Sequence, residues 1–514
     1  MNTAVLNARH AMAFVAALIE GGVEHAVVSP GARNTPLVLA LSALSDRVQI
    51  HPVLDERTAA FVGLGIARVS GSPVLLSCTS GTAGAHWLPA IVEASESGVP
   101  LLAVTADRPV ELHGCGAPQT VDQQGFFGSH TRAFYDLGEP AVEVTPRWLA
   151  GIAAQALDAA VGSRPGPVHI NARFRKPLWE PGVESVAHLG AGRASARIVR
   201  GSQRLASMEL GALADELAPV ERGVIVCGVQ QGSGGLDSNG FAQAVLRLGR
   251  RLGWPVLAEP GSQVRFRVRD SQWVVESTDA LLRAEGLGAV MAPDKVIRFG
   301  RSPVSKACSE WIENHAAGDV IAVSESGRML DAECAVDRLY AVDSLDFCER
   351  LTAALETDRA PTSWLESWRQ LARDSSVEIR QATSQSGWGG HVAQSLVKGL
   401  PAGAILHVAS SLAIRDLDGF CEGASHPLVV TCNRGANGID GTLATAWGEA
   451  LAWSEGPVAV LLGDLALLHD LGSLRALGSL KNPMPVVVLD NGGGGIFDYL
   501  PVSEHPTAYD PLFS

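Results

Sequence analysis

The 514-residue chain has very little lysine: Lys176, Lys295, Lys306, Lys398 and Lys481 are the only ones, so arginine carries nearly all of its positive charge. The formal charge of −14 is spread along the chain without a basic patch, which argues against nucleic acid as a partner. No CxxC pair or zinc spacing links Cys78, Cys115, Cys227, Cys308, Cys334, Cys348, Cys421 and Cys432. Several lie in apolar runs such as Val226-Cys227, which reads as buried thiols in a reducing compartment. No apolar run is long enough to span a membrane. Met12 to Ile19 has the look of a signal-peptide core. It runs straight into Glu20, however, and no small-residue cleavage site precedes the next strand, so an amphipathic first helix is expected.

What is present is the composition of a well-packed α/β protein, with 46% hydrophobic residues, 18% charged residues and 55 glycines. The length suggests about three domains. Short apolar runs alternate with helix-period segments in residues 1–179, with strands expected at His25–Ser29, Gln49–Leu54, Pro73–Cys78, Pro100–Thr105 and Pro167–Asn171. Helices are expected at Thr58–Val69 and Thr82–Glu93. This alternation predicts a parallel, doubly wound sheet. Residues 180–207 read as a linker. A second α/β unit is expected over 208–360, lacking acidic and amide residues at its strand ends, then a helical connector over 361–387 and a third unit over 388–514.

The strand ends of the first unit carry unusual residues: Pro30-Gly31-Ala32-Arg33-Asn34-Thr35-Pro36, Asp55-Glu56-Arg57, Thr79-Ser80-Gly81-Thr82 and Asp107-Arg108-Pro109. Each has a plain structural explanation, since Asp55 and Glu56 suit the first turn of a helix and Ser80 suits an N-cap. In the third unit, a strand at Pro457–Leu462 ends in Gly463-Asp464. A helix-period segment from Leu467 to Leu480 follows, and a strand at Met484–Leu489 runs into Asp490-Asn491 and four glycines. That is a βαβ unit with a carboxylate and an amide at neighbouring strand ends, where open α/β sheets bind ligands. Hard oxygens beside permissive backbone suit Mg²⁺ held together with substrate phosphates. A capping Asp followed by a glycine turn is the alternative.

Gly-Asp followed after a helix by Asn resembles the motif of the thiamine-diphosphate (ThDP) enzymes. The strand-end motifs of the first unit, in their order, resemble the pyrimidine-binding domain of the menaquinone-pathway synthases in that family. The resemblance implies three doubly wound parallel-sheet domains, with ThDP and Mg²⁺, or Mn²⁺ in its place, as cofactors. The metal would be held by Asp464, Asn491 and the carbonyl of Gly493. Ser80, Gly81, Thr82, Asn437, Ile439, Gly463, Asp464, Leu465 and Asn491 would line the cofactor, with Ile439 bending it and Glu56 as the catalytic carboxylate on its pyrimidine ring. Arg33, Arg108, Gln119, Lys306, Ser411, Arg415, Arg434, Ile496, Phe497 and Leu500 would face substrate. Lys306 alone reads simply as a solvated lysine at a helix start.

The implied reaction is decarboxylation of 2-oxoglutarate and 1,4-addition to isochorismate. The implied assembly is a cytoplasmic homodimer or homotetramer with active sites between subunits. Three departures stand against the family pattern: Ala32 where Ser is frequent, Pro118 where Asn commonly precedes Gln119, and a chain that stops at Ser514, soon after the Gly-Ile-Phe segment. Another ThDP-dependent 2-oxo-acid decarboxylase or carboligase, or a catalytically inactive protein of this fold, are the alternatives.

Overall fold

The computed structural model describes residues 2–183, 196, 198–230, 239–268, 272–316, 319–355, 358–384, 388–478, 480–505, 507 and 509–513. Parts of the expected linker and connector lie outside them. Apolar runs bounded by turn residues form three sheets, and every strand pairing is parallel. The first contains β1 (His25–Val28), β2 (Gln49–Pro52), β3 (Val74–Cys78), β4 (Leu101–Asp107), β5 (Phe134–Asp136) and β6 (Val168–Arg173), in the order β2-β1-β3-β4-β6-β5.

The second contains β7 (Gly223–Cys227), β8 (Val256–Ala258), β9 (Val274–Val275), β10 (Lys295–Phe299), β11 (Val320–Val323) and β12 (Arg338–Tyr340), ordered β12-β11-β10-β7-β8-β9. The third contains β13 (Ile405–Val408), β14 (Val429–Thr431), β15 (Val458–Gly463) and β16 (Val486–Leu489), ordered β14-β13-β15-β16. Helices cover both faces, so β1, β3, β4, β6 and β13 are buried along their whole length, as parallel strands require. The fold is the expected set of doubly wound α/β units.

Four expectations need correction. The first helix, Thr3–Glu20, is not amphipathic over its second half, because every residue from His10 to Ile19 is buried. It lies between the helices Thr35–Ala43 and Pro146–Val161 in the first core, which leaves it no polar face there. The helix expected at Thr82–Glu93 is two helices, Thr82–Ala85 and Leu88–Ser97, with Pro89 in the first turn of the second. The segment Leu467–Leu480 is also broken. A helix at Asp464–His469 ends at Asp470, whose carboxyl accepts from Ala444 N (2.8 Å) and Ser473 Oγ (2.5 Å) and so fixes a turn. Finally, the second unit does have an acid at a strand end, because Glu259 follows β8 directly and is 6% exposed.

The first and third units dock through the helices Glu56–Ser70 and Thr442–Ala452, which cross at glycines. A methyl group on Gly65 would overlap Thr445 O and lie 2.8 Å from Glu449 N, and one on Gly448 would lie 3.0 Å from Ile66 N. Arg68 locks the crossing, with Nη1 3.3 Å from Glu449 Oε1 and Nη2 2.9 Å from Asn433 Oδ1. Because backbone sits where a side chain would go, Gly65→Ala is expected to cost roughly 1–3 kcal/mol or more. Its thermal midpoint should fall by several degrees relative to wild type, and an unchanged midpoint would refute this account of the crossing.

Candidate active site

In an open parallel sheet the ligand crevice lies outside the carboxyl ends of the strands, where strand order reverses. In the first sheet β1 pairs with both β2 and β3, so the crevice falls where the turns after β1 and β3 meet. There Arg33 N donates to Thr79 Oγ1 at 3.2 Å. The Arg33 side chain is buried and donates from Nη1 to Phe174 O, yet its Nε has no partner. Arg108 follows β4 and donates from Nη2 to Gln119 Oε1 (3.2 Å), while its buried Nη1 also lacks a partner.

Burial first, and Arg108 second, pull the Arg33 pKa below the usual arginine value against the opposing pull of Asp107; burial does the same to Arg108. Asp107 is already engaged, accepting from Arg108 N (2.7 Å) and Asn171 Nδ2 (3.0 Å). Two guanidinium groups therefore hold unused donors at one edge, an arrangement that suits carboxylates.

Ser80 is 1% exposed and its Oγ has no partner. Gly81 (φ 90°, ψ −136°) turns the chain from β3 into the helix Thr82–Ala85, and Thr82 is exposed. The Gly81 N–H donates to Gln123 Oε1 at 3.0 Å. Gln123, whose Nε2 donates to Asn171 Oδ1 (3.0 Å), was not singled out from the sequence, where it lies in a polar stretch without periodicity. Gln119 is exposed at φ 53°. Glu56 is the first residue of the helix Glu56–Ser70, half-buried, and forms no hydrogen bond or ion pair with a described residue. Asp55 caps that helix, accepting from Arg57 N at 3.0 Å, and its carboxyl pairs with Arg57 at 2.7 Å.

In the third sheet β13 pairs with both β14 and β15, which puts the crevice between Ser411 and Gly463-Asp464. Gly463 pairs in register with Leu489, so Asp464 and Asn491 follow the ends of neighbouring strands. Asp464 and Leu465 open the helix Asp464–His469. Beyond β16 the glycine tract folds back: Gly493 has φ 128°, and a methyl on Gly495 would overlap Asn491 Nδ2 and lie 3.5 Å from Leu412 Cδ1.

Ser411 precedes its helix at φ 71°, ψ −133°, close to the conformation of Gly81 in the first sheet. Holding a non-glycine residue there stores about 1–3 kcal/mol of strain, a feature that clusters at functional sites. Asn437, exposed at φ 63°, is a third candidate residue in that region after Gln119 and Ser411.

Arg415 Nη1 donates to Ser411 O at 2.7 Å, and burial first, then Arg434, lower its pKa. Arg434 is half-buried and forms no hydrogen bond or ion pair with a described residue. Ile439 packs on the third core, Ile496 and Phe497 are half-buried, the Phe497 ring lies 5.1 Å from that of Phe513, and Leu500 is largely exposed. Lys306 is 83% exposed and pairs with Glu310 at 3.1 Å. Among the described residues no hydrogen bond or ion pair joins the candidate residues of the first sheet to those of the third.

The orphaned Ser80 Oγ and arginine nitrogens, the open backbone at Gly463 and Gly492, and the oxygens of Asp464 and Asn491 suit a phosphate-bearing, metal-linked cofactor. The described residues contain no group of three or more His, Cys, Asp or Glu side chains that could hold a metal ion, so a metal here would draw on amide, carbonyl and phosphate oxygens.

Glu259, at the end of β8, is the buried acid of the second unit. Burial pushes its carboxyl up to about 7, aided by Asp418, although Val304 N donates to its Oε2 at 2.6 Å and Arg434 pulls the other way. Burial likewise raises Asp418 to about 6, against Arg265 at 2.9 Å. A raised carboxyl pKa means the folded state holds the proton more tightly. Its contribution is complete below the ordinary carboxylate range and is lost as pH rises towards 7. Glu259→Gln keeps an oxygen for Val304 and removes the charge, so its thermal stability relative to wild type should improve between pH 5 and pH 8, by up to about 3 kcal/mol. A pH-independent difference would refute this.

A separate cavity of about 310 Å³, lined by Arg68, Arg132, Arg328, Gln230, Ser326 and Cys432 among others, contains none of the candidate residues. No helix among the described residues is long and apolar enough to cross a membrane.

Comparison with known proteins bears on the class first. Residues 8–126 match the thiamine pyrophosphate enzyme N-terminal TPP-binding domain, and residues 215–408 match the middle domain of thiamine pyrophosphate enzymes. The second match runs past the connector into β13. The chain is 39% identical to a 2-succinyl-5-enolpyruvyl-6-hydroxy-3-cyclohexene-1-carboxylate synthase from Geobacillus kaustophilus (strain HTA426), over 98% of this chain and 86% of the relative. It is 40% identical to the synthase of that name from Geobacillus thermodenitrificans (strain NG80-2), over 98% and 84%, and 38% identical to that of Sorangium cellulosum (strain So ce56), over 98% and 84%. The chain belongs to this synthase family of ThDP enzymes.

Proposed function

We propose that the protein is a ThDP-dependent transferase that decarboxylates 2-oxoglutarate and joins the remaining four-carbon unit to isochorismate by 1,4-addition, releasing CO₂, in cytoplasmic menaquinone biosynthesis. The observation that carries the choice of substrates is the pair of unsatisfied guanidinium groups, Arg33 and Arg108, at one strand edge, with Arg415 and the unpaired Arg434 at another. Both substrates are dianions, and planar guanidinium forks are the usual partners of carboxylates. A pyruvate-using relative would have little need of so many.

ThDP, when bound, supplies the electron sink that makes loss of CO₂ feasible. The chain's residues do the rest. Asp464, the Asn491 amide and the Gly493 carbonyl would hold Mg²⁺, or Mn²⁺ in its place, against the diphosphate. Ser80, Gly81, Thr82, Asn437, Gly463 and Leu465 would line the cofactor and Ile439 would support its bend. Glu56 would hold a proton at the N1′ nitrogen of the pyrimidine ring, with no other described partner to divert its carboxyl. Gln119, Ser411 and the exposed Lys306 would orient substrate, while Ile496, Phe497 and Leu500 exclude water from the reacting centre.

Glu56 and Asp464 are assigned to opposite ends of one cofactor, and the assembly proposed is a homodimer or homotetramer with each site taking the two groups from different subunits. Leu465, Leu468, Leu471 and Leu474 are exposed apolar side chains within ten residues of Asp464, which favours a second copy as cover. The test is CO₂ release with ThDP and Mg²⁺ from 2-oxoglutarate and from pyruvate, each with and without isochorismate. Release from 2-oxoglutarate, with the succinylated product formed only when isochorismate is present, is expected. Preference for pyruvate would overturn the assignment.

A further inference from the structure

The loop from β14 to the helix Thr442–Ala452 carries Arg434, Asn437 and Ile439, and two other units of the same chain grip its backbone at Gly435 and Ala436. Glu93, on the helix Leu88–Ser97 of the first unit, is 3% exposed. Its Oε1 accepts from Gly435 N at 2.9 Å and its Oε2 accepts from Ala436 N at 2.7 Å, so both oxygens are spent on consecutive loop amides. Ser97 Oγ also donates to Oε1, and Arg68 lies 3.6 Å from it.

From the middle unit, Arg301 Nη2 donates to Gly435 O at 3.0 Å and Nη1 donates to Glu96 O at 3.0 Å. The fit leaves no room for a side chain at position 435, because a methyl on Gly435 would lie 2.8 Å from Glu93 O and 2.9 Å from Glu93 Oε1. The amide of Gly435 is thus held by the first unit and its carbonyl by the middle unit, immediately after Arg434.

We propose that Glu93 and Arg301 are positioning residues that set the height of the Arg434–Asn437 loop over the active-site crevice and thereby tune its affinity for anionic substrate and cofactor. The proposal rests on the assignment of Arg434 to substrate and Asn437 to ThDP. Glu93 acts through the backbone of Gly435 and Ala436, and Arg301 through that of Gly435. A buried carboxyl that accepts two backbone N–H bonds is well suited to this, since substitution by an amide turns one acceptor into a donor facing another donor.

The test uses the full chain with ThDP and Mg²⁺ and compares wild type, Glu93→Gln and Arg301→Gln. Each variant is expected to raise the KM for 2-oxoglutarate about tenfold, weaken ThDP binding by calorimetry about threefold to tenfold, and change kcat by less than about threefold. The double variant should be less than additive, since both act on one residue. A purely architectural role would lower the thermal midpoint while leaving KM and calorimetric affinity at wild-type values, and that result would overturn the proposal. If Glu93→Gln does not fold, Arg301→Gln decides on the same criteria. The underlying functional reading is judged separately: wild-type chain that neither binds ThDP nor decarboxylates 2-oxoglutarate would sink that reading, whereas an active wild type with unaffected variants would sink only the positioning role.

Discussion

Glu56→Gln is expected to abolish turnover while leaving the cofactor bound. The neighbouring acid, Asp55, is committed to capping its helix and to Arg57, accepting from Arg57 N at 3.0 Å and from the guanidinium at 2.7 Å. Glu56, one residue on and half-buried at the same helix start, has no such partner among the described residues, so its carboxyl is available for a proton on a ring nitrogen. Glutamine keeps the size and the acceptor oxygen but cannot exchange a proton near neutral pH. The loss of kcat should therefore be of the order of 10²- to 10⁴-fold, the usual worth of a positioned acid or base. Calorimetry should show ThDP affinity within about tenfold of wild type, because the diphosphate end is untouched. Turnover close to wild type would remove Glu56 from the mechanism.

Asp464→Ala is expected to fail in the complementary way, at binding. Asp464 forms no hydrogen bond or ion pair with a described residue, so its removal should leave the thermal midpoint of the cofactor-free protein nearly unchanged. If it is one of the metal's few side-chain ligands, ThDP–Mg²⁺ affinity should drop by a hundredfold or more, since loss of a partner one shell further out already costs about 10- to 100-fold. Calorimetric affinity equal to that of wild type would show that the carboxylate following β15 is not a ligand. The two substitutions thus separate chemistry from binding in one pair of titrations.

The sheets were legible because parallel strands buried on both faces leave near-continuous apolar runs, as in Val74–Cys78 and Val458–Gly463. The strand ends were legible because Arg33, Ser80, Asp464 and Asn491 interrupt such runs abruptly. β5 and β9 were not seen, being only three and two residues long, and pairing rather than pattern makes Val274–Val275 a strand. The breaks at Trp87 and Asp470 were hidden because apolar residues continue at helical spacing on either side. At Asp470 a long-range bond to Ala444 N, which no local pattern encodes, decides the turn.

Glu93 and Glu259 were missed for a related reason: each is an acid within or at the end of an apolar stretch, and its partners are remote in sequence. That stretch was the available signal, since Glu93 lies beside Ile91 and Ala94 and Glu259 follows Val256–Ala258. A charge in such a place must be paired or neutralised. What it pairs with emerges only from the packing of one unit on another.

The most direct measurement is subunit complementation between the two inactive variants. Co-refolded or co-expressed in equal amounts, Glu56→Gln and Asp464→Ala chains form hybrid dimers in which one site carries both substitutions and the other carries neither, provided each site takes Glu56 from one subunit and Asp464 from its partner. Activity should then return to about a quarter of wild type, since half the dimers are hybrids and half their sites are intact. If hybrid dimers form and remain as inactive as the two parents, each site draws both groups from one chain, and the account of a cofactor held between subunits is wrong.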